Sequence, residues 1–165
     1  MKLNLRHLAV AVLLTLMVAE GSAWAGNREE FEERFEKAQA VMTATVCELR
    51  SYYQTNQYGD RLIFSLARLC PEEVFKAPCA EPFLLEIEGG TVDGVTLRNT
   101  ELPLLKTGDR AVFLLTPSPT RPGAFNLSGG GEGYFWFQDK THLVDFDSRL
   151  SVTLSTIRSV ARSAR

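Results

Sequence analysis

Val41-Met42-Thr43-Ala44-Thr45-Val46 sets Met42, Ala44 and Val46 against Thr43, Thr45 and Cys47, a period of two. That is the period of a strand with one buried face. The residues before it follow a different rule. Phe31, Phe35 and Ala38 recur at spacings of four and three, a narrow helical stripe. Asn27 is a suitable cap for that helix, and Glu29 and Glu30 suit its positive end. The change of period at Val41 therefore separates an N-terminal helix over residues 26–40 from a β-rich body over residues 41–140.

The first strand is expected to run to about Tyr53, with Tyr58-Gly59-Asp60 as the turn and Leu62 to Leu69 as the returning strand. Cys70 to Pro82 contains three prolines and is expected to be a loop with a helical turn at Glu72–Lys76. Phe83 to Ile87 predicts a third strand, closed by Gly89-Gly90. Val92 to Leu97 predicts a fourth, interrupted at Gly94. Thr107-Gly108-Asp109 is a turn leading into the apolar strand Arg110 to Leu115. Ala124 to Leu127 and Tyr134 to Phe137 flank a glycine run. Residues 141–165 are expected to be helical, with Asp147 or Ser148 as cap, although Val152, Thr153, Thr156, Ile157 and Val160 oppose a helix. Five to seven short strands with Gly and Pro turns predict a mainly β protein, a small barrel or sandwich. The terminal segments would pack on its outside or plug one end.

This order of signals resembles a group of bacterial secreted domains of uncharacterised function built as OB-fold or netrin-like barrels. The residues that carry it are Val41 to Val46, Leu62-Ile63-Phe64-Ser65-Leu66, Glu86 to Gly94 with its Gly-Gly-x-Val-x-Gly pattern, Leu105 to Arg110, Ala111 to Leu115, and Gly133 to Phe137. The resemblance implies a small OB-like (Greek-key) barrel. It implies no activity, because such barrels bind oligonucleotides, sugars, peptides and proteins. Netrin-like metalloprotease inhibitors act through an N-terminal cysteine; Gly26 stands there in this chain, so that mechanism does not carry over. The Cys70–Pro82 segment is longer than the pattern, and Ala44 stands where glycine is common.

Ahead of the helix, Lys2 and Arg6, the eleven apolar residues Leu8 to Val18 and Ala23-Trp24-Ala25 follow the order of a secretory signal peptide, residues 1–25. The apolar core falls short of the about 20 residues of a membrane helix. The expected destination is the periplasm or the exterior, with no stable membrane insertion after cleavage. Without Lys2, Arg6 and Glu20, the remainder carries 16 basic and 19 acidic residues, net −3. That argues against a nucleic-acid partner. An oxidising destination permits a disulfide among Cys47, Cys70 and Cys79, with one thiol left over. Cys70–Cys79 would clip the proline-rich loop. Cys47–Cys70 would require neighbouring strands in register.

Catalytic signals are sparse. His142 is the only histidine after residue 25, and a hydrolase would have to build its site from it, from dispersed carboxylates, or from a Cys47–His142 pair. Glu86 and Glu88 share a strand face expected to be exposed. Asp145 and Asp147 fit a turn better than a metal site. Gly129-Gly130-Gly131-Glu132-Gly133 lacks the ending of a phosphate loop and reads as a hairpin turn. No metal or cofactor is implied. The aromatics remain. Tyr134 and Trp136 share one face of the last strand, and Tyr52 and Tyr53 sit at the first hairpin. Facing outward, these four would make a contact surface for another envelope or secreted protein. Arg158, Arg162 and Arg165, at spacings of four and three, would form a basic stripe on the C-terminal helix.

Overall fold

The computed structural model describes residues 27–55, 58–78 and 82–164. The segment expected to be a signal peptide, residues 1–25, and Cys79 lie outside the described residues. The helix α1 covers residues 27–37. The strands are β1 (Ala40–Thr55), β2 (Arg61–Lys76), β3 (Phe83–Glu88), β4 (Gly90–Val92), β5 (Val95–Leu97), β6 (Arg110–Pro117), β7 (Phe125–Leu127), β8 (Tyr134–Phe137), β9 (His142–Asp145) and β10 (Ser151–Thr153). A 3-10 turn at Gly130–Gly133 precedes β8, and α2 (Leu154–Ser163) follows β10.

The main sheet has the order β1-β2-β3-β7-β6-β8-β9-β10, and β6 also pairs with β1. The hydrogen-bonded path from β1 through β2, β3, β7 and β6 thus returns to β1. All its pairings are antiparallel except β3–β7, which is parallel and rests on Leu85 and Phe125 alone. Alternation sends the two faces of these strands into two cores. Met42, Ala44 and Val46 of β1 join Leu69, Leu85, Phe113 and Leu127 inside the path. Val41, Val112, Leu114, Phe135 and Leu143 point the other way and are covered by Phe31 and Phe35 of α1 and Ile157 and Val160 of α2. Both terminal helices therefore lie on the outside of the sheet.

Glycine and turn chemistry explain three of the sequence signals. A side chain at Gly90, where φ is 138°, would run into the hydroxyls of Ser51 and Ser65. Asp93 and Gly94 both have positive φ, so Val92 to Leu97 is a tight two-residue hairpin rather than one interrupted strand. The Gly108-Asp109 turn docks on β1: Gly108 N donates to Val46 O at 2.8 Å, and Val46 N donates to Asp109 O at 2.9 Å.

Three expectations need correction. The Cys70–Pro82 segment is not a loop from its start, and no helical turn forms at Glu72–Lys76. β2 runs on to Lys76, buries Phe75, and places Pro71 beside a register shift, where a missing N–H is tolerated. The disulfide is Cys47–Cys70, not Cys70–Cys79, with Cα atoms 5.9 Å apart. Cys47 is the extra residue of a bulge between Val46 and Glu48, and Cys70 lies opposite Thr45. The six steps of extended strand from Cys70 to Lys76 carry the chain roughly 20 Å away from Cys70, which opposes a Cys70–Cys79 clip. Finally, residues 141–165 are not helical throughout. β9 and β10 come first, and Thr153, not Asp147 or Ser148, caps α2 by accepting from Thr156 N at 3.2 Å.

Candidate functional site

On β3, Leu85 and Ile87 turn inward, so Glu86 and Glu88 share the outer face. Glu86 is nonetheless only 3% exposed. The chain after β6 folds over it, through a turn in which the Ser118 hydroxyl accepts from Thr120 N and Arg121 N. The Glu86 carboxylate then accepts four side-chain bonds. Tyr52 Oη donates at 2.7 Å and Arg121 Nε at 2.8 Å to Oε1; Thr120 Oγ1 donates at 2.7 Å and Ser118 Oγ at 3.1 Å to Oε2. Arg121 Nη2 also donates to Tyr52 Oη at 2.7 Å. Burial pushes the Glu86 carboxyl up, but the bonds from Arg121, Thr120, Tyr52 and Ser118 outweigh it and hold the group below the ordinary carboxylate range. Burial, and the bond to Glu86, push the Tyr52 phenol up to about 12. Glu86 thus stays ionised and Tyr52 protonated at neutral pH. Neither is left as an acid or base with a free site.

Beside this cluster, where β3 and β7 part after their single bridge, a cleft of about 330 Å³ opens. Glu86, Glu88, Thr120 and Asn126 give it polar walls, and Phe64 and Leu102 an apolar side. Asn126 Oδ1 is buried without a hydrogen-bond partner among the described residues. A second cleft of about 390 Å³ shares Leu102 and Gly130 with the first and includes Glu101, Glu132 and Arg149.

No family model and no curated protein matches the chain. The assignment therefore rests on where the candidate residues sit.

Tyr134 is buried, edge-on to Phe113 at 5.6 Å, and offers no outward surface. Trp136, at 38% exposed, does face out. It does not join Tyr52 and Tyr53. Trp136 pairs with Ala111, which pairs with Ala44, eight positions before Tyr52 on β1. Tyr52 belongs to the Glu86 cluster, and Tyr53 lies under the Arg61 guanidinium, 4.1 Å from its ring centre. The four aromatics thus stand in four separate settings and form no common surface.

Cys47 is spent in the disulfide, which removes the Cys47–His142 pair. His142 Nδ1 lies 2.8 Å from Asp139 Oδ2, while Asp139 Oδ1 accepts from the backbone N–H of Thr141 and His142. That is a side-chain-stabilised turn. Asp145, fully buried, accepts from Arg149 N, Leu150 N and Arg34 Nη1, so it too holds a turn and anchors α1. Among the described residues no group of three or more His, Cys, Asp or Glu side chains is placed to hold a metal ion. Arg158 is paired in a fork to Glu73 of β2, so the C-terminal basic residues are in part a docking device.

Sequence reasoning missed Arg121, Ser118 and Thr120. The one available signal was a glutamate set in the apolar run Phe83 to Ile87, and nothing in the segment Pro117 to Pro122, which has three prolines, marks it as the cover.

Proposed function

We propose that the protein is a non-enzymatic interaction protein of an oxidising compartment, secreted or periplasmic, built on an OB-like barrel closed through β1, β2, β3, β7 and β6. The Cys47–Cys70 bond and the N-terminal sequence pattern support the compartment, and the returning strand path supports the barrel. Its partner is a protein, a peptide or an envelope polymer, taken up at the cleft between β3, β7 and Leu102. One observation carries the reading. The groups a hydrolase would need are spent or apart: Glu86 is held by four donors, Cys47 is bonded to Cys70, and His142, with Asp139, sits on an exposed turn that does not line the cleft. Beside Glu86 the cleft keeps a buried acceptor, Asn126 Oδ1, without a partner. Shaped sites with few convergent polar groups suit binding.

The test is nuclear magnetic resonance titration with soluble peptidoglycan fragments and with a set of extended decapeptides. Saturable shifts at Leu102, Thr120 and Asn126, with no turnover of the probe, are expected. Hydrolysis of any probe that disappears in Glu86→Gln or His142→Ala would overturn the reading, as would binding that maps only to the far side of the sheet.

A further inference from the structure

The second half of β1 has an open edge. Up to Thr45, β1 is paired on both sides, by β2 and by β6. The Gly108-Asp109 turn then bonds to Val46, and the loop bonds to that side of β1 end there. Among the described residues the strand pairs with β2 only from Glu48 to Thr55, while β4 at Gly90 packs on the face that carries the Ser51 and Ser65 hydroxyls.

The hydrogen-bonding phase fixes which backbone groups face out. Gly89 N donates to Ile63 O, so Ile63 points toward β3. The N–H and C=O of one antiparallel residue point to the same side, so Phe64, Leu66 and Arg68 point toward β1. Their opposites Tyr52, Arg50 and Glu48 are the residues bonded to β2. Leu49, Ser51 and Tyr53 therefore aim their N–H and C=O away from the sheet. No proline and no bulge interrupts Glu48 to Thr55. An edge of this length without such protection is a template for another strand.

We propose that this edge pairs with the same edge of a second copy of the chain, antiparallel, about a two-fold axis through Ser51. The sequence of the edge suits itself as partner. In that register Leu49 faces the second copy's Tyr53, an aliphatic–aromatic pair. Arg50 faces Tyr52, and Glu48 faces Gln54. No like charges stand directly opposite, which is the usual bar to such pairing. Three pairs of outward residues give about six backbone hydrogen bonds between the copies. An isologous contact of this kind closes at two and does not propagate. The association stands independently of the ligand cleft, which lies on β3 and β7.

Sedimentation velocity over about a hundredfold range of concentration, combined with residue-resolved hydrogen exchange, tests it. A dimer is expected to appear as concentration rises. In step with it, the amides of Leu49, Ser51 and Tyr53 should slow by about tenfold or more, while those of Arg50 and Tyr52 stay slow throughout. Tyr53→Pro removes an outward N–H without touching the β1–β2 ladder, and should weaken association by about tenfold or more. Should that variant lose its near-ultraviolet circular dichroism, Gln54→Glu tests the same contact. It sets a carboxylate directly opposite Glu48 of the second copy, twice by symmetry, and should weaken association. A monomer at every concentration overturns the proposal. So does a dimer whose Leu49, Ser51 and Tyr53 amides still exchange freely, or one that both variants leave intact.

Discussion

Glu86 behaves as a fixed anion, and that has measurable consequences. A buried acceptor bonded by Arg121, Tyr52, Ser118 and Thr120 ties β3 to the β1–β2 hairpin and to the chain between β6 and β7. Glu86→Gln keeps the shape and loses the charge. It should cost about 1.5–3 kcal/mol at pH 7, the range for hydrogen bonds to a charged group, read by urea denaturation. The effect has a pH signature. The folded carboxyl titrates below its ordinary value of 4.5, so folding favours the ionised form. Its contribution is whole above about pH 4.5, fades as the pH falls toward the folded-state value and is gone below it. The stability gap between the native protein and Glu86→Gln should therefore narrow on acidification; parallel pH profiles would contradict the assignment. Tyr52→Phe removes a single donor from the same carboxylate and should cost about 1 kcal/mol; because that bond helps hold the Glu86 carboxyl low, the loss of stability on acidification should set in at a higher pH. None of this was readable at Glu86 itself. The alternation of Phe83 to Ile87 predicts the face of the strand correctly and hence predicts exposure. The cover comes from Ser118 to Arg121, more than thirty residues on, and local periodicity carries no word of it.

At the level of elements, the strands with clear alternation formed where the pattern placed them, and the errors fall where two signals conflicted. In Cys70 to Lys76 the proline at position 71 argued for a loop and Val74-Phe75 for a buried strand. The register shifts near Pro71 let the strand win. The disulfide followed from that outcome, because β2 sets Cys70 beside the bulge at Cys47. A bond closing a separation of 23 residues should contribute about 3 kcal/mol by loop-entropy arithmetic. Replacing Cys47 and Cys70 together with Ala should lower unfolding stability by about that amount. Peptide mapping of the unreduced protein supplies the direct check. A Cys70–Cys79 fragment would refute the pairing. The C-terminal segment teaches the same lesson in reverse. Its β-branched residues weakened a helical reading, and Val152 and Thr153 do belong to a strand. Thr156, Ile157 and Val160 are helical because Ile157 and Val160 fill the outer core beside Phe31. Tertiary burial overrides propensity there.

Across the whole molecule, the two cores are not separable units. Adjacent residues of the same strand serve different cores: Val41 and Met42 on β1, Val112 and Phe113 on β6, Tyr134 and Phe135 on β8. A strand cannot leave one core and stay in the other, since its backbone holds both sets of side chains at fixed phase. The helices are bound into this arrangement as well. Arg34 of α1 reaches the buried Asp145 at 3.1 Å, and Arg158 of α2 grips Glu73. Removing Asp145 leaves Arg34 its pair with Glu30 but takes away the acceptor of Arg149 N and Leu150 N, so Asp145→Ala should cost about 1–3 kcal/mol. Arg158→Ala, at a pair open to water, should cost at most about 1 kcal/mol. The sharper consequence concerns cooperativity. Phe35→Ala empties the outer core and Leu85→Ala the inner one; each should cost about 2–5 kcal/mol. If the shared strands couple the cores, each variant should still unfold in one transition, with near- and far-ultraviolet circular dichroism coincident. A Phe35→Ala protein whose helical signal melts ahead of its sheet would show that α1 and α2 form a separable layer over an autonomous barrel. The alternation along β1, β6 and β8 predicts the opposite, because loss of the outer layer exposes Val41, Val112, Leu114 and Phe135 on the strands that hold the inner core together.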